Sequence, residues 1–489
     1  MKKTLLATLV MAAVSGANAG TFFEPLTAPN TDNTQEDTAP FTIPANHTQT
    51  FVASWNTMDA YFGGTYPATF RNWDMIDFGG DNAEFIYIPH EVGPGGAGVT
   101  RYNRDTGEAV ILLQGDNDEN FDLDPTDGWT HLGDDFGGLD PAVVTPTGSL
   151  LTAEEWAGGG RIFELSNPTT ATSPADADWQ WLSNIPSVSH EGVKFDAAGN
   201  LYFVDENSSG SIYKFVPSVA GDLSHGQVFV LKVDANAADG AVGAASWVAM
   251  TDENNVALTS SADPFDFTSR GGRAAADELG ANGYCRPEDA TMGTLASGNE
   301  VLYFAATCSN IVYSVEFTSD MTAMVREFVN SNVTPDTIGN SPVGTGNPSD
   351  STYGLDDPDN LASDAAGNVY IIEDENPSDV WQAVDADKDG VAESVALFAS
   401  LGKYGSEGTG FKNDPRDPFT WYIAIQHPAS GNDALWTISH DVSQYCGCQT
   451  AKNHGKYVSC IAHTAKDLGI RGEEKDALMD IAANSSCGK

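Results

Sequence analysis

The sequence predicts an all-β protein, a six-bladed β-propeller followed by a small Cys-rich helical module at the C-terminus. The first observation is a repeated unit in which a strand, the turn DAAGN and a second strand end in two acids, complete at residues 189–217 and partial at 363–379. The second observation is a change of character after residue 445, where four of the six cysteines lie. Repeated short strands that cannot bury a face alone stack into a closed ring.

Looser copies of the unit bring the total to six. They lie at residues 79–102, 145–165, 297–317 and 413–438, and each has a buried strand, a polar cluster, a loop and an outer strand. In the complete copy, Gly199 and Asn200 tolerate positive φ and Asp196 caps the turn, as tight strand connections require. An irregular β-sandwich with coincidental turns is the alternative.

The N-terminus has the pattern of a secretory signal peptide at residues 1–19. Lys2 and Lys3 precede an apolar run at 5–14, and small residues at 17–19 form a cleavage site. The apolar run is too short to span a bilayer, and no later stretch qualifies as a transmembrane segment. We expect a secreted or periplasmic protein with an extended arm at residues 20–50 and the propeller at 51–440.

The composition is strongly acidic, with 69 acids against 23 bases and a net charge of −46. Lys and Arg are too sparse to bind a phosphate backbone, so nucleic acid is excluded as a partner. Adaptation to salty water accounts for most of these acids. Only carboxylates in register at strand ends indicate a site.

Polar pairs fall at the same place in each predicted blade, directly after its strongest strand. The pairs are His90-Glu91, Glu154-Glu155, Asp205-Glu206, Thr307-Cys308, Glu373-Asp374 and Gln426-His427. A second set precedes most turns, at residues 190–191, 286–289, 356–360 and 407–409. Equivalent blade positions converge around a propeller axis, so these carboxylates would meet at one mouth of the central channel.

Two unit charges 4 Å apart repel by about 4 kcal/mol at an effective dielectric near 20. Several carboxylates this close together are tolerated only if they are protonated or bridged by cations. We therefore predict an axial metal site with several cations. Oxygen-only clusters suit calcium, magnesium or manganese, and carboxylates also hold iron. Acids that point into solvent as blade-end decoration are the alternative.

Three further residues are candidates for catalysis. Arg286 is one of few arginines, and among carboxylates it is either an ion-pair partner or a bidentate ligand for an anionic substrate. His190 and His427 are candidates for proton transfer or for contacts that support the ligands, with a purely structural role as the alternative for each.

Residues 385–390 resemble the start of a calcium loop, but Ala396 stands where an EF-hand has Glu, so a hairpin turn is an equal alternative.

The tail, residues 441–489, is predicted to be a helical hairpin stapled by two disulfides, because exported thiols oxidise. Its cysteines are Cys446, Cys448, Cys460 and Cys487, and four cysteines allow three pairings. Zinc bound with His454 or His463 is the alternative. Cys285 and Cys308 form the remaining pair.

The motifs in this order resemble the PhoX-type alkaline phosphatases, a family of secreted propellers. The pieces that match are PHEVG at 89–93, TPTGSLLTAEEWAGG at 145–159, SHEGVKFD at 189–196, RPED at 286–289, LDDPDNL at 355–361, EGTG at 407–410 and IQHP at 425–428. The resemblance covers residues 50–440 and implies hydrolysis of phosphomonoesters at iron and calcium ions. It implies that Arg286 binds the phosphoryl group and that Glu154, Glu155, Glu191, Glu288 and Asp359 are candidate ligands. Glu91, Glu373 and Glu407, from the strand-end clusters, complete the candidate ligand set.

One position departs from the family pattern. Iron-binding members have Cys directly before the two glutamates, and here Ala153 stands at that place. Calcium is therefore the expected ion, with manganese as an alternative and iron disfavoured.

Two functions follow. The first is a secreted metal-dependent phosphatase that acts on small phosphate esters. The second is a non-catalytic, calcium-stabilised propeller for extracellular binding or assembly, with residues 446–489 as its interaction module. A lactonase-like propeller with one calcium would need fewer axial acids.

Overall fold

The computed structural model describes residues 21–93, 95–115, 118, 121–155, 159–234, 238–330 and 355–489. The predicted signal peptide at residues 1–19 lies outside the described residues. The described chain has an all-β, propeller-like fold with many strands and few helices.

The elements follow in chain order. The strands are β1 (Phe41–Thr42), β2 (His47–Ser54), β3 (Asp77–Gly79), β4 (Phe85–His90), β5 (Gly98–Asn103), β6 (Ala109–Gln114), β7 (Leu139–Val144), β8 (Leu150–Glu154), β9 (Ile162–Leu165), β10 (Trp179–Trp181), β11 (His190–Phe195), β12 (Leu201–Asp205), β13 (Ile212–Val219), β14 (Asp222–Val233), β15 (Gly243–Ala249), β16 (Pro287–Thr294), β17 (Glu300–Ala306), β18 (Ile311–Ser319), β19 (Thr322–Val329), β20 (Pro358–Ser363), β21 (Val369–Glu373), β22 (Asp379–Val384), β23 (Ser394–Leu401), β24 (Glu407–Asp414), β25 (Asp417–Gln426) and β26 (Ala434–His440). The helices are α1 (Trp55–Tyr61), α2 (Gly271–Leu279), α3 (His454–Asp467) and α4 (Glu473–Asn484).

The strands form five antiparallel sheets. Two sheets are the consecutive arrays β3–β6 and β7–β10, a third is β20–β23 with β1 added at its edge, and a fourth has the order β2-β26-β25-β24. The fifth sheet has nine strands, because β15 pairs with both β14 and β19 and so joins the array β11–β14 to the array β16–β19. Six separate blades were predicted, and this extra strand is the reason that the hydrogen bonding gives five sheets.

The two ends of the strand order meet in one sheet. β2 runs antiparallel to β26, with His47 opposite His440 and Ser54 opposite Ala434. β2 begins inside the segment predicted as an extended arm, so the last residues of that arm are strand. Pairing of the first long strand with the last one covers the edge of β26 and joins the two ends of the propeller in one sheet.

The hydrophobic core is divided among the sheets rather than gathered in one place. The buried apolar side chains form six clusters in the described residues, each between neighbouring four-stranded arrays. One cluster also takes in α3 and α4 through Tyr457, Ile461 and Leu478, so the tail packs on the outer strands.

Disulfides are present as predicted. They join Cys446 to Cys460, Cys448 to Cys487 and Cys285 to Cys308, so all six cysteines are paired and none is available as a zinc ligand. Three disulfides are consistent with an extracellular or periplasmic protein. In the described part of the chain, every helix is too short or too polar to cross a bilayer.

Candidate metal centre

The site is positioned by the first strand of each four-stranded array. β7, β11, β16, β20 and β24, together with the residues that lead into β3, line a central cavity of about 280 Å³. The circle closes between β24 and the segment before β3, where the Thr409 hydroxyl donates to Asp74 at 2.5 Å. Side chains at the start of these strands therefore face a common axis.

Four of these strands carry an acid as their second residue, and each acid sits in a β-bulge. In β7, for example, Leu139 lies opposite Glu154 but Ala142 lies opposite Thr152, so one extra residue is accommodated around Asp140. The same shift of register surrounds the other three acids, which are Glu191, Glu288 and Asp359. A bulge bends the strand and re-aims one side chain. The repeated bulge explains why four carboxylates from separate strands point to one place.

A second ring of acids follows the second strand of four arrays. They are Glu91 after β4, Glu155 after β8, Glu206 after β12 and Asp374 after β21. Asp74 before β3 and Glu407 at the start of β24 add two more carboxylates to the same region. We call these ten residues the axial cluster: Asp74, Glu91, Asp140, Glu155, Glu191, Glu206, Glu288, Asp359, Asp374 and Glu407.

The residue before each acid of the second ring points the other way, into its own sheet. Glu154 receives two hydrogen bonds from the buried Arg161 guanidinium, each 2.8 Å long. Asp205 is held bidentately by Arg273, and Glu373 accepts from the Trp381 indole at 2.8 Å. Since successive strand residues face opposite sides, only the second member of each pair reaches the axis.

The acids of the axial cluster oppose one another's ionisation. Burial, reinforced by the charges of neighbouring acids, raises the pKa of Glu91 to about 8. Burial likewise raises the pKa of Asp74 to about 6. The pKa values of Glu155, Glu191 and the other deep members are also raised, by burial first and then by adjacent carboxylates. Without positive charge, several of these groups hold protons at neutral pH.

The donor set fits a hard divalent cation. Oxygens of Glu191, Glu288 and Asp359 lie within 4.8 Å of one another. In the described structure, Asp140 Oδ2 and Glu191 Oε2 are buried without a hydrogen-bond partner, an arrangement that costs free energy unless a ligand is bound. No free thiol is present, because all six cysteines are in disulfides. Oxygen-only coordination suits calcium, magnesium or manganese.

Arg286 lies at the rim of the axial cluster. Its Nε donates to Glu206 at 2.5 Å, and its Nη2 lies 3.1 Å from Glu288 Oε1. Burial lowers the pKa of Arg286, but the carboxylates of Glu288 and Glu206 outweigh burial and raise it. The side chain is 42% exposed, so its remaining N–H groups are open to a ligand from solvent.

The two candidate histidines differ in position. His190 is fully buried inside its sheet, 5.1 Å from Phe203 between ring centroids, and burial lowers the pKa of His190 to about 3. His427 is exposed at the rim, near Asp433. His190 is thus closed off from solvent, whereas His427 is open to it.

Several residues near the axial cluster have a strained backbone conformation. Ten non-glycine residues have positive φ in the described chain. Six of them surround the axial cluster: Asn72, Arg270, Arg286, Asn310, Asp357 and His427. Such conformations cost about 1–3 kcal/mol each and concentrate at functional sites.

Most of the predicted site residues converge around the axis, and three of them do not. Glu91, Glu155, Glu191, Glu288, Asp359 and Glu407 meet around the axis with Arg286 beside them. Glu154, Glu373 and His190 are instead buried within sheets. Sequence reasoning missed Asp74, Asp140, Glu206 and Asp374 as ligand candidates. The alternation of facing within each acid pair would have selected Asp374 over Glu373.

Comparisons with known proteins identify a family and a fold. A family model described as alkaline phosphatase PhoX matches residues 160–429. The solved structure of Pseudomonas fluorescens PhoX in complex with vanadate, a transition state analogue, is similar to this chain with a TM-score of 0.58 and 17% identity, and covers 86% of this chain and 98% of that one. A gluconolactonase from Xanthomonas campestris has a TM-score of 0.38 and 10% identity, with 85% and 98% covered. No curated protein sequence matches this chain.

Proposed function

The chain belongs to the PhoX alkaline phosphatase family, and on that basis we propose that it is a metal-dependent phosphatase that hydrolyses phosphomonoesters at the axial cluster. The observation that carries the proposal is the convergence of ten carboxylates with Arg286 around one axis, with oxygens of Glu191, Glu288 and Asp359 within 4.8 Å of one another. Within the cluster, Asp140 Oδ2 and Glu191 Oε2 are buried without a hydrogen-bond partner in the described structure, which supports a bound cation at this place.

The proposed ligands are the members of the axial cluster, and calcium is the proposed principal ion, with manganese as an alternative. When bound, the cations would neutralise the phosphoryl group and activate the attacking oxygen. Ala153, at the position of the family's cysteine, is fully buried in an apolar cluster with Leu151 and Ile162 and offers no ligand atom. Iron bound through a thiolate is therefore not part of the proposal.

Arg286 is proposed to bind and orient the phosphoryl group. Glu206 and Glu288 hold one side of its guanidinium, so the group is oriented before the substrate arrives. The fork of N–H donors that remains matches two oxygens of a phosphate. His427 is proposed as a proton-transfer residue at the rim, and His190 is proposed to stabilise its sheet.

We also propose that the propeller has six blades, with the nine-stranded sheet counted as two. Six apolar clusters between neighbouring four-stranded arrays, one of them between the two halves of the nine-stranded sheet, support this count. The proposed domain limits are residues 51–440 for the propeller and 441–489 for the disulfide-stapled module, preceded by a signal peptide at 1–19 and an arm at 20–50. Secretion or periplasmic location follows from the signal peptide.

The experiment that tests this function uses the purified protein after removal of metal and reconstitution with calcium, manganese or iron. Turnover of p-nitrophenyl phosphate is measured for the wild type and for Arg286→Ala. We expect turnover with calcium or manganese, loss on chelation and loss in the variant. No turnover with any of the three metals would refute the enzymatic function.

The second candidate is a calcium-stabilised propeller without catalysis, in which the tail contacts an extracellular partner. The burial of Ala153 among apolar side chains favours it, because a member of the family without the thiolate site has lost one of its expected ligands. Chelation would then lower the melting temperature of a protein that never hydrolyses an ester.

A further inference from the structure

The backbone around Arg286 is held on one side by the neighbouring array β11–β14 and on the other side by its own array, β16–β19. On one side, the Arg286 N–H donates to the carbonyl of Asn207 at 2.7 Å, and Tyr284 exchanges two hydrogen bonds with Gly210. On the other side, the Thr307 N–H donates to the Arg286 carbonyl at 3.1 Å. The turn after Glu206 therefore holds the main chain of Arg286, while Glu206 itself holds its guanidinium.

A disulfide closes this clamp covalently. It joins Cys285, the residue before Arg286, to Cys308, the residue after Thr307, with 5.4 Å between the Cα atoms. Thr307 begins a single 3-10 turn, Thr307–Ser309, and its hydroxyl lies 2.8 Å from Glu288 Oε1. The disulfide thus ties the segment of Arg286 to the segment that orients Glu288.

The position of Arg286 needs such support. Its φ of 49° lies in the left-handed region, which residues other than Gly, Asn and Asp rarely adopt. Its side chain is long and 42% exposed, so solvent offers it many alternative rotamers. The single hydrogen bonds to Asn207 and Thr307 can open in a thermal fluctuation, whereas a covalent bond cannot.

We propose that the Cys285–Cys308 disulfide is a positioning element for phosphoryl binding. It holds Arg286 in its left-handed conformation, so that the guanidinium stands over the axial cluster before the substrate arrives. The inference rests on the proposed function in one respect, the role of Arg286 as the phosphoryl ligand. Loss of the disulfide is expected to weaken the binding of phosphate while the metals stay in place.

The other disulfides provide a matched control. Cys446–Cys460 joins two residues of the tail, outside the axial cluster and outside the part of the chain that matches the family model. A disulfide with a purely stabilising role lowers the melting temperature and leaves substrate affinity unchanged. The two pairs therefore separate positioning from stabilisation in one protein.

The experiment compares C285S/C308S with C446S/C460S in full-length, metal-reconstituted protein. Four quantities are measured: KM and kcat for p-nitrophenyl phosphate, the Kd of inorganic phosphate by calorimetry, bound metal by elemental analysis, and the melting temperature. For C285S/C308S we expect KM and the phosphate Kd to rise about tenfold with kcat changed less than about threefold, the pattern of lost uniform binding. We expect C446S/C460S to lower only the melting temperature.

A double-mutant cycle makes the test specific for Arg286. In an Arg286→Ala background, removal of Cys285–Cys308 should have no further effect on the phosphate Kd, because the group that it positions is gone. Additive losses would overturn the inference, as would an unchanged KM and Kd in C285S/C308S or a parallel fall in bound metal. If the serine pair does not fold, C285A/C308V fills the same space with apolar side chains and is measured in the same way.

Failure of the proposed function gives a different result. A wild type that hydrolyses no ester but binds phosphate, with a Kd that rises in C285S/C308S, refutes catalysis and supports positioning. A wild type that binds no phosphate overturns the positioning role.

Discussion

Removal of the cations should destabilise the protein much more at alkaline than at acidic pH. In the axial cluster, burial and neighbouring charges raise the pKa of Asp74 from 3.8 to about 6 and that of Glu91 from 4.5 to about 8. A folded-state pKa above the unfolded value stabilises the fold at low pH, and this stabilisation is lost as pH rises through the folded-state pKa. Between pH 4 and pH 9 the metal-free protein should therefore become progressively weaker.

The size of the effect follows from the shifts. At 1.36 kcal/mol for each pKa unit, ionisation costs the metal-free fold about 3 kcal/mol at Asp74 and about 5 kcal/mol at Glu91, as upper limits. Total stabilities are about 5–15 kcal/mol, so these two residues alone bring the metal-free protein close to unfolding at pH 9. Bound cations compensate the same charges and should remove the pH dependence.

The assay is thermal unfolding at pH 5, 7 and 9, with excess chelator or with excess calcium. We expect the melting temperatures of the two samples to lie close together at pH 5 and to diverge at pH 9. Asp387→Asn provides the control, because Asp387 belongs to a separate acidic group with Asp385 and Glu393, and should leave the divergence intact. Equal effects of chelator at pH 5 and pH 9 would refute the placement of the cations among the raised carboxylates.

Three further predictions concern single features. Arg286→Ala should lower kcat/KM about 100-fold, mainly through KM, since charge-assisted hydrogen bonds to a phosphoryl group contribute about 3 kcal/mol, and steady-state kinetics measure it. Glu154→Gln should lower the free energy of unfolding by about 2–3 kcal/mol by removing one of the two carboxylates that pair with the buried Arg161, without loss of metal, whereas Glu155→Gln should lose metal; denaturant titration and elemental analysis separate them. C448S/C487S opens a 39-residue loop and should destabilise the tail by about 4 kcal/mol, visible as early proteolysis of α3 and α4.

Each of these three predictions has an outcome that would contradict it. Full activity of Arg286→Ala would exclude the proposed phosphoryl contact, with Arg471→Ala in the tail as a control for loss of charge. Equal metal content in the two glutamine variants would contradict the alternation of facing at residues 154 and 155. Protease resistance of the C448S/C487S tail would mean that packing alone holds the helices.

The repeated strand–turn–strand pattern predicted the strands and the convergence of acids from different blades at the axis. It could do so because strand period and turn chemistry are local properties. It did not predict which member of each pair faces the axis. Glu373 was preferred although Asp374 reaches the cluster, since the answer depends on β-bulges that leave no simple trace in the sequence. The repeated pattern of an acid as the second residue of a strand becomes visible only when Asp140 is aligned with Glu191.

Local sequence patterns also did not predict the charged partners that come from other segments of the chain. Asp205 is neutralised by Arg273 of α2, 68 residues later in the chain. Glu154 is held by Arg161, whose guanidinium also reaches Asp134 across another loop. The pairing of β15 with β19 joined two predicted blades into one sheet, because an inserted strand after β14 found an unpaired edge.

The pairing of β2 with β26 brings the two ends of the chain together, and this has a consequence for folding during synthesis. Asp74 receives its hydrogen bonds from Thr409 and Gln426, which follow it by 335 and 352 residues. A nascent chain that lacks the C-terminal quarter therefore has no complete coordination sphere, however well its earlier sheets have formed. Under the proposed function, we expect ion loading to come late in maturation and a truncated chain that ends before β24 to bind calcium no better than its unfolded form.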